Sequence, residues 1–255
     1  MCVLAFAWRA HRDWPLVLAG NRDERHDRPS LPLARWDDAP EVLGGRDLEG
    51  GGTWLGVSEQ GRLAVVTNLR GFGPPRPEAP SRGRLARDLL VGDGPYAHLS
   101  AAELDAFNPM NLIVVSEGRA RFCSNRPPSG VRTLESGIYG LSNGDLDEPW
   151  PKTRRLKAAL ADWLQGSGHA AGPLLDALAD ETRPADAELP STGLDLERER
   201  LASPIFIRAE GYGTRCSTVV RIGREGRGEI VERRFGPKGE PAGETALKFS
   251  WPAAW

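Results

Sequence analysis

Apolar residues along the chain fall into short runs separated by polar turns, and the runs come in pairs. CVLAFAW (2–8) and PLVLAGN (15–21) flank RAHRDW; TWLGVS (53–58) and RLAVVTNL (62–69) flank EQG; NLIVVS (111–116) and RARFCSN (119–125) meet across a short polar turn. Strand-length runs joined this closely predict antiparallel hairpins. Two stretches change to a helical period. SRGRLARDLLVG (81–92) offers Ser81 as N-cap and sets Leu85, Leu89 and Leu90 on one face, with SAAELDAF following from Ser100. PWPKTRRLKAALADWLQG (149–166) places Pro151 at a helix start, Leu156, Leu160, Trp163 and Leu164 on one stripe and Gly166 at the stop; AGPLLDALAD (171–180) reads as its partner. Strand-like runs then return as SPIFIRA, TRCSTVVRIG, GEIVERRFG and ETALKFSW.

Strands, helix pair, strands, helix pair, strands is an α+β order: mainly antiparallel sheet with the helices outside it. GPPRPEAPSRG (73–83) and SGHAAG (167–172) read as loops, and residues 181–204 as a longer insertion placed to line or cover a site. With neither an internal repeat nor a low-complexity tail, residues 1–255 are expected to form one domain.

Composition narrows the function classes. In 255 residues, 40% are hydrophobic and 27% charged, and 33 Lys and Arg balance 35 Asp and Glu to a net charge of −2, which gives no footprint for nucleic acid or an anionic membrane. No apolar run approaches the ~20 residues of a membrane span. Cys2, Cys123 and Cys216 form no CxxC pair, which argues for reduced thiols and a cytoplasmic location, and the four histidines show no metal-ligand spacing. No metal site is expected.

Candidate chemistry concentrates at strand ends. Removal of Met1 would leave Cys2 with a free α-amine, which titrates near ~7.7–8.0 and is placed to take the proton of its own thiol. The plainer reading makes Cys2 a small hydrophobe at a strand edge. The second strand runs straight into Asn21, Arg22, Asp23 and Glu24. If the first two runs pair as a hairpin, Arg22 and Asp23 lie beside Cys2, where an arginine lowers a thiol's pKa and a carboxylate holds an amine; the alternative is an ion-pair network with Arg25, Asp27 and Arg28. GLSNG (140–144) matches the nucleophile-elbow pattern, but DLDEPW separates it from the next helix. Asn143 is the better candidate there, as an oxyanion donor or as a turn residue, and Asn68 in TNLRG carries the same two readings. Arg215 reads as an anion-binding arginine or an exposed strand residue. The glycines of GGRDLEGGGTWLGV (44–57) read as turns or as close backbone approach to a ligand. Asp145, Asp147 and Glu148 read as an acidic loop.

Taken together, NRDE (21–24) with DRPS, GRDLEGGGTWLGV, TNLRG, SRG, NPMNLIV, YGLSNGDLDEPWPK and GYGTRCSTVV closely resemble the NRDE family, also called the transport and Golgi organisation protein 2 family. That family in turn resembles the N-terminal-nucleophile (Ntn) cysteine hydrolases of the cholylglycine hydrolase and penicillin V acylase type. The resemblance implies an αββα sandwich of two antiparallel sheets between helix layers. It makes Cys2 the nucleophile, Asp23 the partner of its amine, Arg22 the thiolate-stabilising arginine, Asn143 an oxyanion donor and Arg215 a late-strand arginine. Gly20-Asn21-Arg22-Asp23-Glu24 departs from the hydrolases' Gly-Arg-Asn-x-Asp, so either Asp23 or Glu24 is left as the acid. Asn21, Glu24, Asn68 and Trp54 are the expected substrate contacts. Two functions follow: hydrolysis of an amide or thioester of a small acyl or lipid-like molecule, needing no cofactor, or a binding and trafficking protein for an acyl chain, acyl-CoA or transient haem ligand. For the second, Trp8, Trp14, Trp36 and Trp54 are candidates to line an apolar cavity or to pack the core.

Overall fold

The computed structural model describes residues 2–98, 101–127, 129–167 and 169–252. β1 (Cys2–Trp8) and β2 (Leu16–Arg25) form the expected hairpin, pairing Cys2 with Arg22, Leu4 with Gly20 and Trp8 with Leu16. β3 (Ser30–Trp36), β4 (Ala39–Asp47), β5 (Leu55–Ser58) and β6 (Arg62–Asn68) continue as a meander. The chain then leaves for α1 (Arg82–Val91) and α2 (Ala101–Leu104) and returns as β7 (Met110–Ser116), β8 (Arg119–Ser124) and β9 (Gly130–Thr133). β10 (Gly137–Leu141) crosses back to pair with β1. α3 (Pro151–Gln165), α4 (Gly172–Leu178) and α5 (Leu196–Ala202) precede β11 (Arg208–Ala209), β12 (Tyr212–Ile222), β13 (Arg227–Phe235) and β14 (Pro241–Ser250).

Among the described residues these strands make two antiparallel sheets. One runs β10-β1-β2-β12-β13-β14, with β11 beside β12; the other is the meander β3 to β9 in chain order. Three apolar layers hold the stack. Leu4, Phe6, Leu16 and Leu18 meet Leu55, Leu63, Ile113 and Phe122 between the sheets. Val3, Ala5, Val17 and Ala19, on the opposite face of the first sheet, meet Leu156 and Leu160 of α3 and Leu174 and Leu178 of α4. Val42, Ala64 and Leu112 on the outside of the second sheet meet Leu85 and Leu90 of α1. The expected αββα sandwich is therefore observed. Each fully buried leucine or phenylalanine adds about 1.5–3 kcal/mol of transfer free energy. β1 is buried at every position because both faces of its sheet are covered, which is why it reads as an unbroken apolar run.

Helix ends follow the sequence chemistry. Ser81 accepts from the Arg84 amide, and Gly92, at φ 75°, ends α1 in the left-handed conformation. Pro151 occupies the first turn of α3. The expected start of the next helix at Ser100 lies outside the described residues, and that helix is a single turn.

Two expectations are corrected. Residues 30–47, read partly as a glycine-rich turn, contain β3 and β4, whose pairing is interrupted by register shifts. Residues 203–207 are not a strand: the Ile205 carbonyl accepts from Asn21 Nδ2, the Phe206 amide donates to Asp180 and the Ile207 amide to Thr214 Oγ1. The insertion 181–204 contains a 3₁₀ turn at Asp186–Glu188 and α5. No helix among the described residues is long and apolar enough to cross a membrane.

Candidate active site

The alternation of β2 sorts the charged knot at its end between two faces. Asn21 and Asp23 share the face of Val17 and Ala19, toward the helices; Arg22 shares the face of Leu16 and Leu18, toward the other sheet. Asn21 is fully buried and fully bonded: Nδ2 donates to the carbonyls of Leu178 and Ile205 (2.8 and 2.9 Å), and Oδ1 accepts from Ser217 Oγ (2.6 Å). Expected to contact substrate, it is instead a clamp tying the sheet to α4 and to the segment after α5.

Arg22 donates to Asp47 Oδ2 at 3.0 Å, bridging the two sheets near the C-terminal ends of β2 and β4. Asp47 also accepts from Arg28 Nε (2.7 Å) and from the Gly50 amide (2.8 Å). Burial alone would raise the Asp47 pKa, but these bonds and the two arginine charges bring it below the usual carboxylate range. Arg28 contacts Glu24 at 3.8 Å and Glu49 at 3.1 Å, so the ion-pair network expected as the alternative does exist alongside the site.

Cys2 lies opposite Arg22 and is 9% exposed. It lines a cavity of about 330 Å³ with Arg22, Asp23, Glu24, Trp54, Asn68 and Arg82. The turn between β4 and β5 and the start of α1 both wall this region. Gly52, at φ 146°, lets the strand approach α1 so closely that a Cβ there would lie 2.1 Å from the Gly83 carbonyl oxygen, and the Thr53 amide bonds that same carbonyl. This contact sets Ser81 and Arg82 on the cavity wall. Arg82 donates to the Pro109 carbonyl and has no carboxylate partner among the described residues.

Burial pushes the Cys2 thiol up, the neighbouring Asp23 carboxylate adds to that, and Arg22 opposes it. The direction of this shift favours the thiol over the thiolate. Its backbone is held on both sides: Ser142 Oγ donates to the Cys2 carbonyl at 2.7 Å, and the Cys2 nitrogen donates to Asn143 Oδ1 at 3.4 Å. Asn143 Nδ2 donates to the Asn68 carbonyl at 2.8 Å. Asn143 therefore presents its acceptor to the Cys2 nitrogen and spends one of its two N–H donors on the backbone. The exposed Asn68 side chain lines the cavity. Ser142 is a clamp for Cys2.

Asp23 accepts from Thr214 Oγ1 at 2.7 Å, and Tyr212 donates its hydroxyl to the Asp23 carbonyl. Burial raises the Asp23 pKa, while Lys152, the Thr214 bond and Arg70 act against it. Lys152 is 2% exposed. Sequence reasoning missed it, although it stands four residues before Leu156 and eight before Leu160, on the very stripe that marks the buried face of α3. Arg215 is the extra residue of a β-bulge between Thr214 and Cys216; it donates to the carbonyls of Arg25 and Arg28 and does not line the Cys2 cavity. It belongs to an adjoining cavity of about 190 Å³ that shares Arg22, Asp47 and Trp54 as a wall and contains Cys216 and Glu232.

Trp54 is therefore the tryptophan that reaches the site. Trp8 packs between the sheets, Trp36 under α1 and Trp14 against α3, so the four do not line one cavity. The insertion contributes elsewhere: Ser191, Thr192 and Gly193 line a separate cavity with Arg70, Asn143 and Trp150. No cluster of metal-ligating side chains occurs among the described residues.

The family model described as Transport and Golgi organisation 2 matches residues 1–237. The Mus musculus Transport and Golgi organization 2 homolog is 29% identical over 270 residues, covering 96% of this chain and 97% of its own. The Homo sapiens Transport and Golgi organization protein 2 homolog is 30% identical over 258 residues, covering 91% and 92%. Solved structures similar to this one include the Caenorhabditis elegans N-acylethanolamine-hydrolyzing acid amidase ortholog, at a TM-score of 0.47 and 15% identity over 86% of this chain and 92% of that one. A mutant of the conjugated bile acid hydrolase from Clostridium perfringens gives a TM-score of 0.47 at 8% identity, over 100% of this chain and 98% of that one.

Proposed function

The chain belongs to the Transport and Golgi organisation 2 family, and from that membership and the geometry around residue 2 we propose that it is an N-terminal-nucleophile cysteine hydrolase acting on a non-peptide amide or thioester of a small acyl or lipid-like molecule. One observation carries the reading. The Cys2 nitrogen is held by Asn143 and the residue lines a cavity beside Arg22, so that removal of Met1 leaves an amine and a thiol on one residue at the edge of open space.

In this mechanism the amine takes the thiol proton and Arg22 favours the resulting thiolate. Sulfur attacks the acyl carbonyl carbon, and the oxyanion is met by the Asn68 amide and the Arg82 guanidinium. The C–N or C–S bond breaks as the ammonium returns its proton to the departing amine or thiol, leaving a thioester on Cys2. Water, deprotonated by the same amine, then attacks the thioester and releases the acid and the free thiol.

The test is the intact mass of the purified protein before and after iodoacetamide under native conditions. The expected result is loss of Met1 and one fast alkylation mapped to Cys2, with Cys123 and Cys216, as buried as Cys2 but without an adjoining amine to take the thiol proton, reacting more slowly. Acyl-amide and thioester screens on wild type and Cys2→Ala follow. Retained Met1 with an unreactive Cys2 overturns the reading.

A further inference from the structure

Directly opposed residues on neighbouring strands share a face, and one such row runs Cys2 on β1, Arg22 on β2, Cys216 on β12, Arg234 on β13 and Gly243 on β14. It begins at the candidate nucleophile and ends on the last strand of the sheet. Gly243, at φ 125°, leaves room for the arginine beside it: a Cβ there would lie 3.2 Å from Arg234 Nη2. Arg22, Cys216 and Arg234 all line the cavity of about 190 Å³ next to that of Cys2.

The charges of this cavity do not balance. Arg22, Arg46, Arg215 and Arg234 line it against two carboxylates, Asp47 and Glu232. Asp47 is shared by Arg22 and Arg28, and Arg46 pairs with Asp38. Glu232 accepts from the Leu33 amide, and burial pushes its pKa up. Carboxylates on the flanking segments are engaged as well: Glu24 and Glu49 with Arg28, Asp27 with Arg25, Glu244 with Arg233, and Glu240 with the Lys238 amide. Arg215 and Arg234 remain. Among the described residues neither has a carboxylate partner, and their bonds go to the carbonyls of Arg25, Arg28 and Ala242. Each guanidinium keeps further N–H groups beyond these bonds. Trp54, Phe235 and Leu31, the last 51% exposed, supply apolar surface to the same cavity.

We propose that this cavity is a second ligand site, taking a small amphipathic anion whose carboxylate or phosphate is met by Arg215 and Arg234 and whose short apolar body lies against Trp54, Phe235 and Leu31. A planar guanidinium fork binds either oxyanion through paired N–H groups, so the two share one recognition chemistry. The inference goes beyond the hydrolase reading and does not depend on it, because none of these groups needs a free amine on residue 2.

The experiment is a ¹³C NMR titration of protein labelled at cysteine, its three signals assigned with Cys2→Ser, Cys123→Ser and Cys216→Ser. Hexanoate, hexyl phosphate, hexanol and inorganic phosphate are the probes. Hexanoate or hexyl phosphate is expected to give a saturable shift of the Cys216 signal while Cys123 stays in place. The tighter of the two identifies the headgroup, and its affinity is expected to exceed those of hexanol and inorganic phosphate about tenfold. Arg234→Gln removes one anion contact and is expected to weaken binding about tenfold. Leu31→Asp sets a negative charge at an exposed lining position and is expected to weaken it as much; it decides alone if Arg234→Gln does not fold. A Cys216 signal unmoved by both anions overturns the proposal, as does a shift confined to Cys2, which places the anion in the nucleophile's cavity. Equal affinity for hexanol or inorganic phosphate, or wild-type affinity in the folded variants, overturns it too.

Discussion

Arg22 stands between two cysteines in one sheet, level with Cys2 on β1 and with Cys216 on β12. One side chain thus faces both the cavity of the candidate nucleophile and the smaller cavity of the second thiol, and its bond to Asp47 is the wall between them. The thiols lie two strand spacings apart, about 10 Å, beyond the reach of a disulfide.

Asp47→Asn is expected to cost about 3 kcal/mol at neutral pH, because it leaves Arg22 and Arg28 facing a neutral partner at a largely buried edge. Folded Asp47 holds its pKa below the unfolded value near ~3.9, so its contribution is complete above that value and is lost as pH falls through the folded one. Urea unfolding should show the variant's deficit at pH 7 and its closure in strong acid. A constant deficit would show that packing, not charge, sets the cost.

Glu232→Gln should behave in the opposite sense. Glu232 is 4% exposed, burial pushes its pKa up, and it accepts from the Leu33 amide at 2.8 Å, a bond the variant keeps. The folded state holds this proton more tightly than the unfolded chain does, so wild-type stability falls as pH rises above ~4.3 toward the folded pKa. The variant escapes that loss. Denaturation midpoints of the two proteins should agree near pH 3 and separate in favour of the variant toward neutrality.

Asn143→Ala removes the acceptor for the Cys2 nitrogen and the donor to Asn68 together. The expected cost is about 1–3 kcal/mol for the buried groups left unsatisfied, with native iodoacetamide labelling of Cys2 slowed more than stability alone accounts for. An alkylation rate equal to wild type would remove Asn143 from the holding role.

Gly52→Ala places a methyl group against the Gly83 carbonyl at a backbone angle that L residues rarely adopt. A loss of about 1–3 kcal/mol is expected, accompanied by a change in Cys2 labelling as the start of α1 moves away. Equal labelling in a destabilised variant would separate α1 from the working cavity.

The hairpin of β1 and β2 was legible because two apolar runs of matching length flank a polar turn, and its pairing alone carries Arg22 to Cys2. The sorting of Arg22 and Asn21 to opposite faces follows from the same alternation, yet it needs to be known that both faces are covered. β3 was obscured by exposed Leu31, by Pro32 and by its shifted register, which together erase the two-residue period. Residues 205–207 misled for the opposite reason: they are as apolar as a strand, but their backbone is bonded by a side chain of β2, by Asp180 and by a threonine of β12. Lys152 was hidden because lysine reads as surface, although its helical position marked it as buried. Asn143 was found by residue type, but which end of its amide meets Cys2 is decided by the Asn68 carbonyl, a contact across 75 residues.

The strand order also sets a timetable. β2 is flanked by the first strand made and by β12, so Arg22 and Asp23 gain Cys216 and Thr214 as neighbours only after residues 212–222 have been synthesised. The N-terminal hairpin must wait through most of translation with one edge open, and pairings this distant in sequence are slow to form. The candidate catalytic centre, begun by the second residue of the chain, is among the last parts of the molecule to be completed.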